Sequence, residues 1–294
     1  MKALELELPA EIKRLEILVK TLVTSKFIGN YRSVFRGRGL EFESYREYTP
    51  EDDSRLIDWK ASARTNKVLI KELKEERNLD VTFLLDTSSK MLFGSTDKLK
   101  SQYATELIAS LAYAILKAND NVSLITFNDK NIKIIPLANG EKQFYKIAKV
   151  LLDNNNYGNS FNLKDALNFA LYNAKKESLL VIVSDFINPG KDWQYLLKVA
   201  SQKFDVIALM IRDPRDRELP ENYKITLESP ETGRRIIVDT SVIKDKYSKY
   251  VNEEEEYVKQ EFIKASSDFA EIITDKPFLE PLIELFGRRK KKWR

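Results

Sequence analysis

The sequence predicts an α/β protein in which a mostly parallel sheet carries helices on both faces. Three observations lead there. Continuous apolar runs, VTFLL, VSLITF, LLVIV and VIALMI, are short enough for strands and lack the alternation of a sheet with one wet face. Amphipathic stretches of helical period separate them. Two of the runs end abruptly in acids and hydroxyls, as VTFLLDTSSKM and VIVSDF, which is how buried strands deliver polar groups to a crevice.

In chain order, Pro9–Val23 places Ile12, Leu15, Ile17, Leu18 and Leu22 near helical spacing and predicts a first helix. Residues Asn30–Arg77 are crowded with Arg, Glu, Asp and aromatics; the short alternating pieces LEFESYREY and KVLIKELKE predict short strands that order themselves on another body. Val81–Leu85 is the first core strand, and Lys98–Lys117 follows as a helix with Leu99, Tyr103, Leu107, Leu111 and Ile115 at intervals of four. Val122–Phe127 and Ile132–Leu137 flank the turn-like NDKN and predict a hairpin. Helices at Glu141–Leu152, Asn162–Lys175 and Trp193–Lys203 alternate with the strands SLLVIVSD and DVIALMIRD. The strand RRIIVD, a charged helix over Lys244–Ser267, the strand AEIIT and a helix over Phe278–Phe286 complete the pattern. The expected organisation is 1–78 as an N-terminal helix and Arg/Asp-rich segment packed on the core, 79–287 as the main domain, and 288–294 as a basic tail.

Composition narrows the chemistry. The chain has 294 residues, 43% of them hydrophobic and 32% charged, and neither cysteine nor histidine. Disulfides, thiolate nucleophiles and cysteine zinc sites are thereby excluded, as are the commonest general base and transition-metal ligand. No long uncharged apolar run predicts a membrane span, and charges interrupt MKALELELPAEIKRLEILV, so a cytoplasmic address is expected. Six of the 49 cations lie in the final RRKKKWR; without them the count is 43 against 45 acids, and a nucleic-acid surface is not expected. Neither GxGxxG nor GxxxxGK[ST] occurs.

The candidate ligands are therefore strand-end residues: Asp86, Ser88 and Ser89 after the first strand, Ser184 and Asp185 after VIVSD, and the loop with Gly158, Asn159 and Ser160. Oxygen ligands of this kind suit a hard cation such as Mg2+.

The combination of strand-DTSSKM, the loop before NLKDAL and strand-SDF resembles the von Willebrand factor A domain, whose metal-ion-dependent adhesion site uses DxSxS, a threonine loop and a later aspartate. GRGLEFESYREYTPEDDSRLIDWKASAR is similar to the signature of the domain of unknown function 58 family, with Arg46, Tyr48, Asp52, Asp53, Arg55, Ile57, Asp58, Trp59 and Arg64 in register and Glu51 where the family has glycine. The resemblance implies a Rossmann-like A-type fold. It also maps Asp86 and Ser88 onto the first two metal ligands and Asp185 onto the last, but puts Lys90 at the third motif position. Ungapped counting puts Phe161 at the threonine position, with Ser160 serving only after a shift of one. The site is thus expected to be degenerate, with Lys90 or backbone donors offsetting the repulsion between Asp86 and Asp185; a bound Mg2+ and ordinary strand-end capping are the alternatives.

In the signature segment, Arg46, Arg55 and Arg64 are expected to pair with Glu51, Asp52, Asp53 and Asp58, with the Trp59 ring buried as an anchor or, in the alternative, facing a partner. The resemblance implies a non-enzymatic protein-interaction module, a chaperone-like adaptor acting with a MoxR-type AAA+ ATPase on an unidentified client. The rival class is a metal-dependent hydrolase or phosphatase using Asp86 and Asp185. The absence of histidine and of an acid two residues after Asp86 counts against that rival.

Overall fold

A computed structural model describes residues 2–24, 27–29, 31, 41–74, 78–221 and 223–292. Its centre is a six-stranded sheet of β3 (Asp80–Asp86), β4 (Asn121–Phe127), β5 (Ile132–Ala138), β6 (Leu179–Ser184), β7 (Asp205–Arg212) and β10 (Asp268–Ile273). The spatial order is β10-β7-β6-β3-β4-β5. All neighbours run parallel except β5, which returns antiparallel to β4 along one edge. The chain winds outward from β3 in one direction and restarts at β6 in the other, so β3 and β6 are neighbours whose connections diverge. This is the von Willebrand factor A-type arrangement.

Every residue of β3 and of β6 is buried, which explains the absence of alternation in their sequences. One face of the sheet packs against α1 (Lys2–Leu22), α3 (Lys100–Lys117), α4 (Glu141–Leu151) and α9 (Leu279–Lys292), with Val19, Phe83, Leu107, Ile147 and Leu285 in one continuous core. The other face packs against α5 (Leu163–Asn173), α6 (Trp193–Lys203) and α8 (Thr240–Lys264), around Leu84, Ile182, Trp193, Val258 and Phe262. The first helix is thus part of the main core: Ile12, Leu15 and Val19 recur at intervals of three and four and all face inward.

Two small antiparallel pairs stand outside this sheet. The pair β1 (Glu41–Glu47) and β2 (Leu69–Lys74) encloses the short helix α2 (Trp59–Thr65). The hairpin of β8 (Lys224–Glu228) and β9 (Arg235–Asp239) follows the single-turn helix α7 (Pro214–Arg217); β8 has no apolar run and was not foreseen.

The run at 288–294, expected as a tail, continues α9 as far as Lys292. Arg289 is buried there and pairs with Asp205 and Asp268, which begin β7 and β10. The reason is register: Leu282, Leu285, Phe286 and Arg289 share one helix face, so the arginine follows the apolar stripe inward. Trp293 and Arg294 lie outside the described residues.

Candidate functional site

Because β3 and β6 are adjacent and parallel, their carboxyl ends bring Asp86, Ser184 and Asp185 to one place, all fully buried. Asp86 Oδ1 accepts from the Ser88 amide at 2.8 Å and Oδ2 from the Ser184 hydroxyl at 2.7 Å. Ser184 Oγ in turn accepts from the Phe186 amide at 3.0 Å, across a turn in which Phe186 has a left-handed backbone, φ 50°. Asp185 Oδ1 accepts from the Ile187 amide at 2.9 Å, while Oδ2 accepts from Lys100 Nζ at 2.7 Å. Lys100 donates also to Asp216 Oδ2, at 2.9 Å.

The compensating cation is therefore Lys100, the first residue of α3. The expectation that placed Lys90 in this role is corrected: its ammonium donates to the Ile187 carbonyl at 2.7 Å, stands 3.5 Å from Glu231 in the tip of the β8–β9 hairpin, and lies over the Phe161 ring at 5.1 Å. The difference is directional. Lys90 sits in a short helical turn after β3 that carries its side chain past the carboxylates, whereas α3 begins by pointing Lys100 at the ends of β6 and β7. Lys100 shares its helix face with Tyr103, Ala104 and Leu107, all buried, and that register was the available signal for a buried lysine.

Arg212, at the end of β7, completes a charge network that the sequence did not reveal. It is buried, 3.2 Å from Glu255, and its Nε and Nη2 have no hydrogen-bond partner among the described residues. Glu255 is held also by Arg217 at 2.8 Å. These charges set the carboxyls apart. Burial, reinforced by the nearby Asp185 charge, pushes Asp86 up to about 7. Burial alone would raise Asp185 too, but Lys100 and then Arg212 outweigh it and hold that carboxyl below its ordinary value. For Lys100, burial disfavours the ammonium, yet Asp185 and Asp216 prevail and hold it above the usual lysine value.

The third loop does come alongside. Gly158 N donates to Thr87 O at 2.8 Å and Ser89 N to Asn159 O at 2.9 Å, so the 158–161 segment is laced to the turn after Asp86. Ser160 binds Asp129 through its amide at 2.9 Å, and its carbonyl accepts from the Asp129 amide at 2.9 Å. The third motif position and the threonine position are thus filled by Lys90 and Phe161, which touch each other and supply no oxygen side chain. Ser88 Oγ, buried without a hydrogen-bond partner among the described residues, is the hydroxyl that suits a cation. Taken together the residues do not fit a divalent ion. Such an ion takes an oxygen shell, whereas here an ammonium sits on one carboxylate and hydrogen bonds use both oxygens of the other.

The signature segment forms its own network. Arg46 grips Asp52 through two bonds of 2.7 and 2.6 Å, and this pair holds Asp52 well below the usual carboxylate range. Asp53 pairs with Arg55, two residues on, at the surface. Asp58 caps α2 by accepting from the amides of Lys60 and Ala61 at 3.0 and 3.1 Å; it also accepts from Tyr45 of β1 at 2.9 Å and lies 3.2 Å from Lys71 of β2. Those contacts, the Ala61 amide first, lower Asp58 to about 2.

Trp59 is not the buried anchor expected of it, being 70% exposed. Its helix turns Ser62 toward β2, where the hydroxyl donates to the Asp58 carbonyl and accepts from the Leu69 amide, each at 2.8 Å. The tryptophan, three residues before Ser62 and at the first helical position, is left outside. Arg64 and Glu51 have no ion-pair partner among the described residues.

A family model described as "Protein of unknown function DUF58" matches residues 44–257. The uncharacterized protein Rv1480 of Mycobacterium tuberculosis is 22% identical over 289 residues, covering 97% of this chain and 90% of its own length. The uncharacterized protein YeaD of Bacillus subtilis is 28% identical over 108 residues, 37% of this chain and 25% of that one. Among solved structures, the conserved hypothetical protein BatB from Bacteroides thetaiotaomicron aligns over 73% of this chain and all of its own, with 17% identity and a TM-score of 0.49. The VWA domain of SpRpn10 aligns over 72% and 95%, with 14% identity and a TM-score of 0.42. The matched region runs from β1 through most of α8, taking in the strand-end charge network and the Asp58-capped helix alike, and the chain belongs to the DUF58 family.

Proposed function

We propose that this chain is a non-enzymatic interaction module, a chaperone-like adaptor that works in the cytoplasm with a MoxR-type AAA+ ATPase while protein complexes are matured or remodelled. The observation that carries the reading is the Lys100 ammonium between Asp185 and Asp216. A strand-end site whose charge is balanced from within is suited to holding loops in one shape: Asp185 is committed to Lys100, and Asp86 accepts from the Ser88 amide and the Ser184 hydroxyl, which favours a structural role for both. The ATPase partnership rests on the family resemblance of the signature segment and the A-type domain. An A-type fold with no helix, among the described residues, long and apolar enough to cross a membrane is compatible with it.

The test pairs two assays. The purified chain is expected to change the ATPase rate of a MoxR-type ATPase from its own genome and to co-purify with it. Nitrophenyl phosphate and casein are expected to remain unconverted with or without magnesium. Turnover that disappears in Asp86→Ala would replace this reading with the hydrolase.

A further inference from the structure

The outward face of α2 is an unusual surface. A tryptophan is ordinarily among the more buried side chains, and Trp59 is 70% exposed on a helix seven residues long. Successive helical residues turn by about 100°, so Trp59, Ala63, Lys60 and Arg64 occupy one contiguous sector of roughly 140°, away from Ser62. All four are exposed. The helix beneath them is fixed by the Asp58 cap, by the Asp58 amide on the Leu69 carbonyl at 2.9 Å and by Ser62 on the Leu69 amide. A rigid aromatic with two side-chain torsions, on a helix tied at its N-cap and at Ser62, loses little freedom on binding.

Charge decides what fits there. Four acids around the helix are committed: Asp52 to Arg46, Asp53 to Arg55, Asp58 to the helix amides with Tyr45 and Lys71, and Glu47 to Lys67. The cations beside Trp59 are not, since Lys60 and Arg64 have no ion-pair partner among the described residues. They lie one helical turn apart, both on the same side of the indole. Glu51, a further exposed acid among the described residues, lies outside the helix, in the turn before Ser54–Leu56. The face is thus apolar along one edge, at Trp59 and Ala63, and cationic along the other, at Lys60 and Arg64.

We infer that the Trp59, Lys60, Ala63 and Arg64 face is a docking surface for an acidic segment of a partner protein that carries an apolar side chain. The apolar group covers the indole, and the partner's carboxylates meet Lys60 and Arg64. The inference stands on this face alone and does not depend on the identity of the ATPase.

The experiment presents the full chain with an array of synthetic twelve-residue peptides rich in Asp and Glu, each with one Leu, Phe or Trp. Lys/Arg-rich counterparts, acidic peptides without the apolar residue, and a short DNA duplex serve as comparisons. The acidic peptides with an apolar residue are expected to bind best. Trp59→Ala should weaken them at least tenfold, and Lys60→Glu with Arg64→Glu should invert the preference toward the basic set. Unchanged melting temperatures in both variants keep the readout free of unfolding. Equal binding by wild type and variants, absence of binding by the acidic set, or preference for basic peptides or DNA would each overturn the inference.

Discussion

Replacing Lys100 with Met isolates the central electrostatic argument, because the stem's volume is largely kept while the charge goes. In the native chain one buried ammonium serves two carboxylates at 2.7 and 2.9 Å, and Asp185 is fully buried. Removing one member of such a cluster costs about 3–5 kcal/mol, since the charge left behind is neither solvated nor paired. At roughly 2–4 °C per kcal/mol for a chain of this size, the melting temperature should fall by about 6–20 °C at neutral pH.

The sign with pH is specific. In the native chain Asp185 titrates below its unfolded value, so its contribution is present above that value and fades as acid protonates it. In the variant, burial at Asp185 is opposed by Arg212 and the Ile187 amide without Lys100, so that carboxyl takes up a proton more readily and the deficit should shrink as pH falls from 7 to 5. Denaturant unfolding of the wild type, Lys100→Met, Asp185→Asn and the double variant across this range closes a double-mutant cycle. Millimolar magnesium should stabilise Lys100→Met, whose Asp185 oxygen is released, and leave the wild type unchanged. A Lys100→Met protein as stable as the wild type, or a Lys90→Met protein as unstable as Lys100→Met, would refute the assignment of the cation.

Asp86→Asn tests the other carboxyl. With its folded value near 7, the native Asp86 holds a proton that the unfolded chain has released, so wild-type stability should fall between about pH 4 and 7. The difference from the ordinary 3.8, at about 1.4 kcal/mol per pH unit, sets a ceiling of roughly 4 kcal/mol, and Asp86→Asn should flatten the slope and be the more stable at pH 8. A parallel slope in the variant would count against it. For Trp59→Ala, the 70% exposure of the ring predicts a stability change within about 1 kcal/mol, and a loss near 3 kcal/mol in denaturant unfolding would show that the ring is covered in solution.

The sheet was legible because both faces of β3, β6 and β7 are covered, which leaves unbroken apolar runs in the sequence. The polar ends of β3 and β6 were legible for the complementary reason, since a crevice at the switch point is where a buried strand can end in acids. What escaped was charge inside helices and at a strand end. The rule that charges face water would put Lys100, Arg212 and Arg289 at the surface, yet each continues an apolar row. Their partners come from distant segments, Asp185 and Asp216 for Lys100, Glu255 for Arg212, and Asp205 and Asp268 for Arg289, so only tertiary placement makes their burial affordable. Trp59 failed in the opposite sense. Hydrophobicity argued for burial, and the small unit around it satisfied its backbone with Asp58 and Ser62 instead.

The ammonium of Lys100 has a further consequence for how such a protein would be run by a cell. A counter-ion written into the polypeptide arrives with every copy and in fixed stoichiometry. Loops held by it are expected to keep their shape through swings in free magnesium and in the presence of a chelator, so magnesium is not the lever by which such loops would be switched.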